Sequence, residues 1–182
     1  MTRFTIGFHT STGGNKNGLG AYIQRMNAAG LPVFIKATAD AGPAFEAQES
    51  GKAHGVDNLL VYRSTNNNIY QYDTPRYNLP PSQAANDHWK ATVAVWPPEL
   101  DRSLVWMEPI NEPRAKLEPD ETTPTWGGMH PVAWLGRFMV EYAQIANGAG
   151  FKVCGPSFSS GDPSVELWQL DGMADWLRYC AD

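Results

Sequence analysis

Five short runs of apolar residues, each followed by a turn-rich or helical stretch, constrain the fold of this chain more than any other feature. They cover residues 4–10, 31–39, 56–64, 103–110 and 151–158. Their apolar character is nearly continuous rather than alternating, which predicts strands buried on both faces of a parallel sheet. Pro32 fits only at the entry of the second run, where no ladder donor is needed. The segments between the runs supply helices. Leu19, Tyr22, Ile23 and Met26 fall on one helical stripe, with Gly30 as its stop. Pro131 opens a stripe of Val132, Leu135, Phe138, Met139 and Tyr142 that ends at Gly148 or Gly150. Residues 82–96 predict a third helix closed by Pro97 and Pro98, residues 43–53 a shorter one, and residues 163–180 a partly helical stretch. Strands alternating with helices imply right-handed βαβ units around a parallel sheet.

Composition narrows the class. With 42% hydrophobic residues among 182, the chain can bury one real core, and no linker or low-complexity tract divides it, so residues 1–182 are expected to form a single domain. Fourteen basic against 19 acidic residues give a net charge of −5, which offers no basic footprint for nucleic acid. No apolar run approaches a membrane span, and the first residues lack the cationic and apolar regions of a secretory signal. A soluble protein is expected, with its compartment left open. Cys154 and Cys180 cannot staple a domain this size and have no metal-ligand spacing, so both read as free thiols.

Two architectures fit five such units. An open doubly wound sheet of the flavodoxin type would be complete at this length. A (β/α)₈ barrel would not, since at about 36 residues per unit eight units need about 290. Length favours the open sheet, and the motifs favour the barrel.

The segment that carries chemistry is Glu108-Pro109-Ile110-Asn111-Glu112-Pro113, at the end of the fourth run. A strand that stays apolar until its last turn gathers polar groups at its C-terminal end, where parallel α/β proteins bind ligands. Two-residue periodicity would put Glu108, Ile110 and Glu112 on one side and turn Asn111 elsewhere. Two carboxylates sharing a partly buried side suit a general acid, because burial and repulsion raise one of their pKa values. The plainer alternative has Glu108 in a core ion pair and Glu112 capping the following loop.

Glu-x-x-Asn-Glu-Pro after a fourth strand resembles the signature of the clan A glycoside hydrolases, retaining enzymes built on a (β/α)₈ barrel. The resemblance extends over residues 4–180 as the first five units of that barrel. It implies that Glu112 is the acid/base, that Asn111 donates to the sugar 2-hydroxyl, and that Glu108 is a supporting carboxylate. It implies an oligo- or polysaccharide substrate and no metal or other cofactor. The clan places its nucleophile after a seventh strand, and no residue of these five units can take that position. Double displacement needs two carboxyl groups about 5–5.5 Å apart. The resemblance therefore implies little or no turnover by these residues alone. The clan's arginine after the second strand is replaced here by Lys36, which could pair with Glu108 but lacks arginine's rigid fork.

A partial barrel would leave its first and fifth strands with open edges, which natural sheets avoid. Two expectations follow: a fragment of a longer chain, which is preferred, or a homodimer pairing edge to edge. Asp40 and Asp162 follow the second and fifth runs and could stand in for the missing carboxylate; both fit better as caps of the next helix or turn.

The loops after the third and fourth runs, residues 65–81 and 114–129, are the longest and are rich in amides, aromatics and, at Glu118, Asp120 and Glu121, acids. Tyr70, Tyr72 and Trp126 could stack on sugar C–H faces, while His9 and Tyr62 are expected to line the pocket floor. Each of these has an ordinary structural alternative. Trp106, Trp134 and Trp176 read as packing.

A rival reading starts from residues 9–15, His-Thr-Ser-Thr-Gly-Gly-Asn, which resemble the phosphate loop of flavodoxins and imply an FMN- or phosphate-binding protein. The next helix begins only after Asn17-Gly18, late for such a cradle, and the acidic segment is left unexplained. A third reading keeps a carbohydrate pocket without catalysis.

Overall fold

The computed structural model describes residues 7–64, 75–113, 125–158 and 163–181. The chain divides into two compact units. The first comprises Met1–Asn66, Val95–Glu108 and Gly150–Cys154; the second comprises Asn67–Ala94, Pro109–Ala149 and Gly155–Asp182.

The first unit contains a five-stranded, all-parallel sheet, giving an α/β architecture. Its strands are β1 (Gly7–Ser11), β2 (Phe34–Thr38), β3 (Leu59–Arg63), β4 (Val105–Met107) and β5 (Lys152–Val153), ordered β1-β2-β3-β4-β5. Helices α1 (Leu19–Ala28) and α2 (Gly42–His54) belong to the same unit. Register lines up His9, Lys36, Val61, Trp106 and Lys152 across the sheet, so these side chains share one face. The opposite face carries Ile35, Ala37, Leu60, Tyr62 and Val105, which form a core with Leu19 and Ile23 of α1 and Ala44 and Ala47 of α2. Both helices therefore cover the same side of the sheet. Full burial of each larger aliphatic chain here contributes about 1.5–3 kcal/mol.

Every predicted strand is present, and β2 to β5 are each shorter than their apolar runs. A residue counts in a ladder only while a neighbour pairs with it, which trims β4 to three residues and β5 to two. β1 departs from the expected burial on both faces: Gly7, Phe8, His9 and Ser11 are exposed and only Thr10 is buried. It is an end strand of the sheet, with β2 as its one neighbour among the described residues. Helix limits follow backbone chemistry. Gly55, at φ +65°, ends α2, and the Val56 N–H returns to the Gly51 carbonyl at 2.9 Å. At the N-terminal ends of the strands, Asn27 and Asn58 exchange amide hydrogen bonds at 2.9 Å each way, and the Asn58 Oδ1 also accepts from the Val33 N–H.

The second unit is helical: α3 (Pro81–Val93), α4 (Pro131–Gly148) and α5 (Asp171–Ala181), with 3₁₀ turns at Trp126–Gly128 and Val165–Gln169. α4 packs against both α3 and α5. It starts where proline tolerates the missing donor, with the His130 Nδ1 accepting from the Val132 N–H at 3.2 Å. Its buried stripe stacks Trp134 on Phe138 at 5.4 Å and Phe138 on Tyr142 at 5.9 Å, the one-turn spacing of a helix face. Trp134 Nε1 donates to the Leu79 carbonyl at 2.8 Å. α3 ends at Val93 rather than Trp96. Trp96 instead joins the first unit, where its ring meets Tyr62 and Phe151 edge-on at 5.5 and 5.1 Å. No helix among the described residues is long and apolar enough to cross a membrane.

Two glycines set the approach of α4 to α5. A Cβ at Gly136 would lie 2.2 Å from the Gly172 carbonyl oxygen, and one at Gly172 would lie 1.9 Å from that of Ala133. Backbone cannot yield as a flexible side chain can. Gly136→Ala is expected to lower stability by at least about 1–3 kcal/mol, read as a leftward shift of the urea midpoint.

His88 is buried in the same unit, its Nε2 donating to the Pro109 carbonyl at 2.8 Å and its ring edge-on to Phe138 and Tyr142. Burial holds its pKa below the ordinary 6.5, partly countered by that hydrogen bond. Above about pH 6.5 both folded and unfolded states keep the ring neutral, so its contribution is intact; below that the unfolded chain takes up a proton first and stability falls. His88→Gln is expected to reduce the loss of melting temperature between about pH 7.5 and about pH 5 relative to the parent.

Candidate active site

Lys36 in the middle of β2, Arg63 at the end of β3 and Glu108 just beyond β4 bring charge to the face of the sheet opposite α1 and α2. Lys36 Nζ donates to Glu108 Oε1 at 2.8 Å, and Glu108 is only 2% exposed. Glu108 continues the ladder beyond β4, its N–H donating to the Tyr62 carbonyl at 3.0 Å. The period-2 path therefore carries its side chain to the same face as Lys36. Arg63 closes β3 directly opposite Thr38 in register. His9, on β1, lies with its Nε2 3.1 Å from Thr38 Oγ1. Partial burial lowers the His9 pKa, the positive charges of Lys36 and Arg63 lower it further, and Glu108 opposes them. Cys154, just beyond β5, has its thiol pushed up to about 12 by burial and then by the negative charge of Glu108.

Lys36, Glu108 and His9 are thus brought to one polar face. Tyr62 is not on it. Its register puts it on the helix-bearing face, 3% exposed in the core, so it is a packing residue and not a pocket floor.

The rest of the acidic segment belongs to the second unit. Pro109 and Ile110 are buried, Asn111 is half-buried and Glu112 is exposed. The expected alternation of Glu108, Ile110 and Glu112 on one side does not hold. Alternation requires extended backbone, and Glu112 sits at φ +46°, in the left-handed region that a non-glycine residue rarely occupies. Surrounding pairing holds it there: its N–H donates to the Ser157 carbonyl, the Ser157 N–H to the Ile110 carbonyl at 3.4 Å, and Asn111 bridges Ser157 in parallel. A residue kept in a sparsely populated conformation by its neighbours is a common feature of functional sites.

Trp126, also in the second unit, is exposed on its 3₁₀ turn and lines a groove of about 350 Å³ with Pro81, Arg137, Glu141 and Asp175. Neither Asn111 nor Glu112 lines that groove. Tyr70, Tyr72, Glu118, Asp120, Glu121 and Asp162 lie outside the described residues. Asp40 is engaged locally, its Oδ1 accepting from the Gly42 N–H at 3.0 Å and its Oδ2 paired with Lys16, and that pairing lowers its pKa. It serves the turn into α2, as the capping alternative had it.

In the loop after β1 the Gly14 N–H donates to the Ser11 carbonyl, the Asn17 N–H to Asn15 Oδ1, and the Leu19 N–H to the Lys16 carbonyl. Those three amides are turned into the loop itself. Among the described residues no cluster of three or more histidines, cysteines or acids is arranged to hold a metal.

Sequence reasoning passed over Arg63. The signal was there: a single cation near the end of an apolar run. Comparison with protein-family models, curated proteins and solved structures finds no match for this chain in any of the three.

Proposed function

We propose that this chain forms the first five βα units of a (β/α)₈ glycoside hydrolase of the retaining kind, acting on oligo- or polysaccharides, with Glu112 as acid/base. The observation that carries the reading is the position of Glu108 to Pro113 immediately after the fourth strand of an all-parallel sheet whose strands run in chain order. That order supports the barrel, whose strands are sequential, over the flavodoxin type, whose order is 2-1-3-4-5. Coverage of one face by both α1 and α2 supports it too, because barrel helices all lie outside while doubly wound sheets carry helices on both faces. The inward-turned amides of the loop after β1 weigh against the phosphate reading.

In the proposed reaction the Glu112 carboxylic acid gives its proton to the glycosidic oxygen as the C1–O bond breaks, and a carboxylate nucleophile bonds to C1. The Glu112 carboxylate then takes a proton from the water that displaces that nucleophile. Asn111 donates to the sugar 2-hydroxyl. Glu108, fixed by Lys36, supplies buried negative charge beside the segment, and the exposed ring of Trp126 offers a stacking surface. The reading assigns the nucleophile to no residue of the five units. Its test is hydrolysis of aryl glycosides by the protein carrying this chain, followed by proton NMR from the first minutes. The first-formed sugar is expected to keep the anomeric configuration of the substrate; the opposite anomer, or binding without cleavage, would contradict the mechanism.

A further inference from the structure

The polar face of the first unit holds more positive charge than it neutralises. Lys36 is matched by Glu108 at 2.8 Å. Arg63 is not so matched: its Nε and Nη1 are both buried, and neither has a hydrogen-bond partner among the described residues. Glu108 has the converse deficit, since Oε1 accepts from Lys36 while Oε2 is buried without a donor among the described residues. Buried charged groups without partners are costly, so an arrangement that strands two donors and one acceptor at neighbouring strand ends calls for a ligand that supplies the complement. The ligand must bring an anionic acceptor to Arg63 and a hydroxyl donor to Glu108. Lys36, one-fifth exposed, and exposed His9 mark the open side of this face.

We infer that Arg63 binds the carboxylate of a hydroxylated acid, which makes the substrate class an acidic carbohydrate such as a uronic-acid-containing glycan. Naming the ligand as a sugar rests on the glycoside hydrolase reading; the charge imbalance does not. A guanidinium answers a carboxylate with charge-assisted hydrogen bonds, and Oε2 can accept from an adjacent sugar hydroxyl. A neutral sugar would satisfy the acceptor and leave the arginine unmatched.

Isothermal titration of the whole protein with D-glucuronate, D-glucuronamide, D-glucose and inorganic phosphate tests this directly. Glucuronate is expected to bind at one site, about 10- to 100-fold tighter than its neutral amide or glucose. Arg63→Gln should abolish that preference and Arg63→Lys should restore part of it. The comparison of glucuronate with glucuronamide needs no variant, so it stands even if Arg63→Gln fails to fold. Equal binding of acid and amide, or no binding, would overturn the inference. Phosphate binding as tight as glucuronate would overturn the carbohydrate assignment. Persistence of the acid preference when Glu112→Gln leaves hydrolysis unchanged would sink the catalytic reading and keep the anion site, so the two failures are distinguishable.

Discussion

Glu112→Gln is expected to lower hydrolysis of glycosides with poor leaving groups by about 10²–10⁴-fold, the usual contribution of a positioned general acid–base. The amide keeps the size and polarity of the side chain and removes only the proton that can be given and retaken. Loss should therefore depend on the leaving group. A dinitrophenolate departs without protonation, so its glycoside should form the glycosyl–enzyme at near the parental rate and stall at the second step, where the missing base is needed. Glu112 is exposed, and its backbone at φ +46° is no more strained by glutamine than by glutamate, so the substitution leaves the fold intact. A uniform fall across leaving groups would instead mean that the residue only shapes the loop.

The second large effect is on stability. Lys36→Met should destabilise the protein by about 3–5 kcal/mol, because it removes one member of a buried pair and leaves Glu108, 2% exposed, without its partner. The double replacement Lys36→Met with Glu108→Leu should recover much of that loss, since two apolar chains of similar volume do not carry the desolvation cost of a lone charge. Urea melts of the parent, both single variants and the double variant give the coupling energy. Independent losses that merely add would show that the 2.8 Å contact contributes nothing through its pairing.

Much of this fold is legible in the sequence because its signals are local. Pro131 and the stripe from Val132 to Tyr142 locate α4 because a proline-compatible first turn and one-turn apolar spacing are properties of the helix itself. Strand centres are legible for the same reason. Strand ends are not, because pairing is decided by a neighbour distant in the chain, and the exposure of β1 depends on its place at the end of the sheet. The candidate site divides along the same line. The pairing of Glu108 with Lys36 could be anticipated because each is a lone charge of its sign in an apolar run. The core position of Tyr62 is not legible, because its parity relative to Lys36 becomes visible only through the β2–β3 register. The conformation of Glu112 leaves no trace in composition: glutamate does not advertise a left-handed backbone as glycine would, and the Ser157 pairing that holds it is 45 residues away. The unmatched nitrogens of Arg63 are likewise a property of what surrounds them, not of the residue type.

The most direct measurement of the central claim uses Glu112→Ala with sodium azide and an activated aryl glycoside. If Glu112 is the acid/base of a retaining enzyme, the stalled glycosyl–enzyme has room for a small anion that needs no base, and turnover should rise with azide to give a glycosyl azide of the same anomeric configuration as the substrate. Turnover at the parental rate without azide, or release of sugar with no azide adduct at any concentration, would contradict the account.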